Sequence, residues 1–174
     1  MTQALRVGVE TDGPIYFRVV RCEVEDNELF DGYQFKIGKG VTARNDNSPE
    51  VGLVTTGYMI RTARIAAEKL AKLGIRVRID HHPSLKPFDR ELLYDMASKV
   101  SAIVTLENHC ISGGLYSLVA EALVARGTGL PVGAIGTDPD DYIHTGHVND
   151  LLWRYKMTSD DVVAKVGETL KLRK

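Results

Sequence analysis

Residues 104–123 read VTLENHCISGGLYSLVAEAL, and the order of events in this stretch decides the fold. An apolar run from Ala102 to Leu106 ends in Glu107-Asn108-His109. A Ser112-Gly113-Gly114 step follows, and an apolar-periodic segment then runs from Leu115 to Val124. This is the pattern of a buried strand, a tight turn and a helix whose first amides are bare. Glycines at such a turn let the backbone reverse sharply and let another group approach closely.

The same alternation extends outward in both directions. Upstream, residues 51–55 form a short apolar strand, and Thr56-Gly57 opens a helix. Its apolar positions Met59, Ile60, Ala63, Ala66, Ala67, Leu70 and Leu73 keep a helical period, and Gly74 closes it as a C-cap. Residues 75–79 alternate with arginines and read as a strand. Residues 83–87 are loop, and Asp89 caps a helix from Arg90 to about Lys99. Downstream, residues 130–135 are a strand. Residues 148–155 and 159–172 are closing helices, the second capped by Thr158 or Ser159 ahead of Asp160 and Asp161. Strands alternating with helices predict an α/β domain with a largely parallel sheet between helical layers. Residues 34–44 offer an edge strand, possibly antiparallel.

The N-terminus follows a different pattern. Ala4, Leu5, Val7 and Val9 suggest a short helix, Asp12-Gly13-Pro14 breaks it, and Ile15-Tyr16-Phe17-Arg18-Val19-Val20 is strand-like. The polar stretch 23–32 reads as a linker. Either this is the end of a preceding domain, or it is an extension that packs on the domain's own sheet.

Composition excludes several classes. The 174 residues carry a net charge of −1, with 44% hydrophobic and 26% charged residues. That balance gives no electrostatic case for nucleic acid or a membrane surface. No apolar run approaches the ~20 residues that span a bilayer, and no apolar signal core opens the chain. Cys22 and Cys110 stand far apart without a CxxC pattern, as free thiols in a reducing compartment do. The expectation is a cytoplasmic protein.

Three candidate sites fall at predicted strand ends, where open α/β sheets place their ligands. They are Thr55-Thr56-Gly57, Asp80-His81-His82, and Glu107-Asn108-His109 with Ser112-Gly113-Gly114. Together they suggest an anion-friendly rim. The plain alternative is that these small residues serve turn geometry alone. His81 and His82 point to opposite faces of a strand, so a metal would need His109, His144 or His147 as well. No HExxH or CxxC spacing supports one. Cys110 and Ser112 lack a nucleophile elbow, and Cys110 reads as a half-buried thiol at a turn. Gly38-Lys39-Gly40 is too short for a P-loop, and no GxGxxG follows a strand. Arg21, near the end of the first strand, suits a phosphate clamp through its planar fork. Alternatively it is a surface arginine facing Glu23 and Glu25.

Several segments stand in the order of one known family. Residues 12–21, DGPIYFRVVR, resemble the "DGPxYxRxxR" strand that closes the pyrimidine-binding domain of transketolases. Residues 35–40, FKIGKG, are similar to the "FxIGKA" entry to the transketolase C-terminal domain. VTTGYM at 54–59 looks like its "IATGxM", LKPFD at 85–89 like its "IKPLD", and YIHTG at 142–146 stands in place of "FGESG". Asp138-Pro139-Asp140-Asp141 departs from the family's "PDRF".

The resemblance implies a three-layer α/β/α domain with a mixed, mostly parallel five-stranded sheet. Residues 1–32 would be the remnant of a preceding pyrimidine-binding domain plus linker, and 33–174 the transketolase C-terminal domain. It also implies a part of a transferase that moves a two-carbon ketol unit between sugar phosphates. Thiamine diphosphate and Mg belong to other domains of the complete enzyme, and this chain should bind no cofactor or metal and catalyse nothing alone. The GDG motif with its distal Asn, and the pyrimidine domain's catalytic glutamate region, are absent here. The implied partners are catalytic thiamine-diphosphate-binding domains or a separate subunit, in a homodimer or hetero-complex. By the same resemblance Arg21 matches the arginine that holds the substrate phosphate, and His109 lines the domain interface on the substrate side. Two other branches share this domain: deoxyxylulose-phosphate synthases, and the β subunits of 2-oxoacid dehydrogenases, where it is an interaction module.

Overall fold

Five strands, β1 (Val41–Asn45), β2 (Val51–Thr55), β3 (Val77–His81), β4 (Ala102–Cys110) and β5 (Val132–Thr137), form one sheet in the order β1-β3-β2-β4-β5. The structure is a computed structural model that describes residues 2–20 and 33–172. β2 pairs in parallel with β3 and with β4, and β4 with β5; only β1 runs antiparallel, on β3. The sheet is therefore mixed and mostly parallel, with its antiparallel strand at one edge.

The apolar runs explain the layering. Both faces of β2 and β3 are buried along their full length, as parallel strands between helices require. On one face, α2 (Met59–Lys72) and α6 (Ser159–Lys171) cover Leu53, Ile79 and Val104 with Ala63, Leu70, Val162 and Val166. On the other, α3 (Arg90–Ala97) and α4 (Leu115–Ala125) bring Leu93, Met96, Leu115, Val119 and Leu123 onto Val54 and Ile103. Each fully buried Leu, Ile or Val contributes about 1.5–3 kcal/mol. The chain moves outward from β2 through α2 to β3, then crosses back through α3 to β4. Reversing direction while keeping right-handed crossovers forces α2 and α3 onto opposite faces. The reversal makes the carboxyl ends of β2 and β4 the topological switch point of the sheet.

Local signals set most boundaries. Gly74 sits past the end of α2 at φ 78°, the left-handed stop the sequence predicts. Asp89 accepts from Leu92 N at the start of α3. Thr158 and Asp161 form a reciprocal capping box on α6. The short α5 (Val148–Arg154) buries nothing fully, and Trp153 on it is 77% exposed.

Three expectations need correction. Residues 15–20 form no strand; among the described residues no strand pairs with their alternating pattern, and an unpaired strand is not stable in water. β3 begins two residues later than expected. Arg78 is buried, donating to Asp80 Oδ1 at 3.0 Å and to Asp95 Oδ2 at 2.6 Å, while Thr42 donates to the same Asp80 oxygen at 2.8 Å. β4 runs past Leu106, through a register shift, to pair Cys110 with Thr137. The first helix is α1 (Thr2–Val9), with no buried residue. The linker 23–32, Arg21 and Cys22 lie outside the described residues.

Candidate functional site at the carboxyl rim

At the ends of β2 and β3, side chains bond to one another rather than to solvent. Thr55 Oγ1 lies 2.9 Å from His81 Nδ1, Thr56 Oγ1 donates to the His82 carbonyl at 2.8 Å, and His82 N donates to the Thr55 carbonyl at 2.8 Å. His82 is fully buried and stacks on Phe88 with ring centroids 4.5 Å apart, and neither of its ring nitrogens has a hydrogen-bond partner. Burial pushes both imidazoles down to about 4, with the neighbouring His82 adding to the shift at His81 and Asp89 opposing it at His82. Both rings are neutral and packed into the core, His81 bonded to Thr55 and His82 held by its stack on Phe88.

The third cluster closes on itself. Glu107, 1% exposed, accepts from Leu115 N at 2.6 Å and from Tyr116 N at 2.8 Å. The opening amides of α4 are thus occupied by the carboxylate that ends the apolar part of β4, a covalently attached anion at a helix N-terminus. Gly114 makes this approach feasible, since a Cβ there would collide with the Glu107 carboxylate. Burial raises the Glu107 pKa, against the two amide bonds and the charge of Arg18, which lower it. The sequence predicts bare amides; the structure corrects this, because the acid eight residues upstream fills the place of a ligand. The anion-friendly reading of the Gly-Gly turn goes with it.

At the switch point itself the N-terminal segment reaches the rim. Arg18 Nη1 donates to Asn108 Oδ1 at 3.2 Å and Nη2 to the Asn108 carbonyl at 2.8 Å. Beside them Gly57 turns at φ 55°, where an added Cβ would lie 3.5 Å from Asn108 Oδ1. His109 is exposed and Cys110 half-buried. Among the described residues no three His, Cys, Asp or Glu side chains gather as metal ligands, and no helix is long and apolar enough to cross a membrane.

The family model described as the C-terminal domain of transketolase matches residues 38–162. The chain belongs to the transketolase C-terminal-domain family. A split-gene transketolase, solved as an inactive beta4 tetramer, superposes with a TM-score of 0.88 at 35% identity, over 99% of this chain and 55% of that one. The 1-deoxy-D-xylulose-5-phosphate synthase of Heliobacterium modesticaldum is 34% identical over 95% of this chain and 25% of its own length. The 6-deoxy-6-sulfo-D-fructose transketolase subunit of a Clostridium species is 32% identical over 90% of this chain and 47% of its own. The chain therefore spans a quarter to a half of the curated relatives named here.

In this transketolase C-terminal domain the expected fold class holds: a three-layer α/β/α arrangement on a mixed, mostly parallel five-stranded sheet. The start of α4 does not fit a diphosphate. The amides of α4 are taken by Glu107, whose carboxylate would repel phosphate oxygens. Of the two substrate-side candidates, His109 stands exposed one residue from the Arg18 contact, and Arg21 is not among the described residues. Glu107, Asn108 and Arg18 were not singled out as acting together. The only signal in the sequence is an acid closing an apolar strand just before a Gly-Gly step.

Proposed function

We propose that this chain supplies the C-terminal domain of a thiamine-diphosphate-dependent, transketolase-like enzyme of the cytoplasm that transfers two-carbon ketol units between sugar phosphates. It does not catalyse alone. Thiamine diphosphate and Mg sit on the pyrimidine- and diphosphate-binding domains of a partner, in a homodimer or hetero-complex, and residues 1–32 are the end of such a pyrimidine-binding domain. The observation that carries this reading is the partial coverage of the relatives, from 25% of a synthase to 55% of a split-gene transketolase chain. The self-capped rim agrees with it, leaving this domain an assembly role and, through Arg21, a contact to the substrate phosphate. His109 lines the same interface. The exposed apolar side chains of the N-terminal segment, Leu5, Val9, Tyr16 and Val19, suit a surface covered on assembly.

The test is reconstitution. The chain, titrated alone with thiamine diphosphate and Mg in a calorimeter, should show no micromolar binding. Purified from its native source, it should bring with it a chain carrying GDG and the catalytic glutamate, and the complex should transfer ketol units. A second reading, a deoxyxylulose-phosphate synthase, is favoured by six such synthases at 32–34% identity. The same complex supplied with pyruvate and a triose phosphate separates the two, since only the synthase reading gives decarboxylative condensation.

A further inference from the structure

We infer that Asn108 is a positioning residue which, through Arg18, anchors the N-terminal segment on the carboxyl rim. Both oxygens of Asn108 serve one guanidinium, at 3.2 and 2.8 Å. Only the amide oxygen can accept from Arg18, so this contact also fixes the orientation of the amide. The residue is held from behind, because the adjacent Glu107 is locked onto α4. It is also flanked by Gly57, whose positive φ disfavours any side chain there.

The rest of the segment is held at its other end. The Gln3 side chain donates to the Tyr33 carbonyl at 2.8 Å and accepts from Phe35 N at 2.7 Å. Between these two tethers residues 14–20 have no regular secondary structure and α1 buries no residue. With no ladder to hold it, the far end of the segment depends on the Arg18–Asn108 fork. The consequence rests on the phosphate reading of Arg21. Three residues of chain reach at most about 10 Å, so an anchor at Arg18 limits where Arg21 presents its guanidinium. Asn108, on the other side of the domain boundary, then acts on substrate affinity without touching substrate.

The experiment uses the full chain and its assembled complex. In the chain, backbone 15N order parameters for residues 15–20 should sit near 0.8, fall below about 0.6 in Arg18→Leu, which removes both bonds, and fall part-way in Asn108→Leu, which keeps the bond to the residue 108 carbonyl. Asn108→Asp, which keeps the acceptor, should retain the wild-type values. The amide spectrum of the sheet confirms that each variant folds. In the complex, Asn108→Leu should lower kcat/KM for a phosphorylated sugar about three- to tenfold, mainly through KM, and Asn108→Asp should restore it. Order parameters unchanged in Arg18→Leu overturn the anchor whatever the kinetics show. Order lost with kcat/KM unchanged overturns the positioning role. The phosphate reading fails separately, if Arg21→Ala weakens phosphorylated and unphosphorylated substrates alike.

Discussion

Replacing Glu107 by alanine tests the carboxylate plug directly. The variant removes the two hydrogen bonds that the carboxylate accepts from Leu115 N and Tyr116 N, and leaves one buried and one half-buried amide unpaired at the start of α4. Bonds to a charged group are worth about 1.5–3 kcal/mol each, a gross loss of roughly 3–6 kcal/mol. Burial of the carboxylate, which raises its pKa, takes back part of that gain, so the net expectation is a loss of about 2–4 kcal/mol. For a chain of this size each kcal/mol lowers Tm by roughly 2–4 °C, so Tm should fall by about 4–16 °C. Glu107→Gln keeps one acceptor but sets an amide N–H against a backbone N–H, and should lose less, about 1–2 kcal/mol. Urea denaturation followed by circular dichroism measures both. If Glu107→Ala stays within about 0.5 kcal/mol of wild type, water caps α4 well enough and the carboxylate is not the residue that closes this rim.

Three further outcomes are expected. In the assembled enzyme, Arg21→Ala should cost ten- to a hundredfold, on the order of 1.5–3 kcal/mol, in kcat/KM for phosphorylated sugars and much less for unphosphorylated ones, with Arg21→Lys recovering only part; equal losses would make Arg21 structural. His81 and His82 have folded pKa values of about 4, below the ordinary 6.5. Their neutral forms therefore support the fold fully above pH 6.5, and stability drains as pH falls toward 4, by roughly 2 kcal/mol for each ring at pH 5. His82→Phe keeps the stack on Phe88 without the titrating ring and should flatten that acid slope in pH-dependent urea melts; an unchanged slope would refute the assignment. Arg78→Ala strands the fully buried Asp80 and should cost about 3–5 kcal/mol. Adding Asp80→Ala should return part of that loss in a double-mutant cycle, and strict additivity would argue against the buried pair.

How far the sequence carried the fold depended on whether a signal was local. β2, β4 and α4 were legible because a strand buried on both faces must be apolar throughout, and because Gly74, Asp89 and Thr158 mark helix ends with their own chemistry. The burial of Arg78 was not legible, because Asp80 on its own strand, Asp95 on α3 and Thr42 on β1 close over it, and alternation with arginine carries none of those contacts. Residues 15–20 carry a genuine strand pattern, but a pattern cannot supply a pairing partner. At the rim the separations decide. Glu107 meets the α4 amides eight residues on, within reach of a motif reading, and Arg18 meets Asn108 across ninety. No spacing rule joins residues so far apart.

Trp153 is the chain's single tryptophan, and it stands 77% exposed on α5, away from both cores. Its indole is already hydrated in the native state, so unfolding leaves its surroundings nearly as they were. Tryptophan fluorescence will therefore be a poor gauge of denaturation in this protein, and melts followed that way would carry little signal. The same exposure makes the indole a sensitive optical probe for whatever comes to lie against α5: a blue shift on mixing with another chain would report contact at that helix without any label.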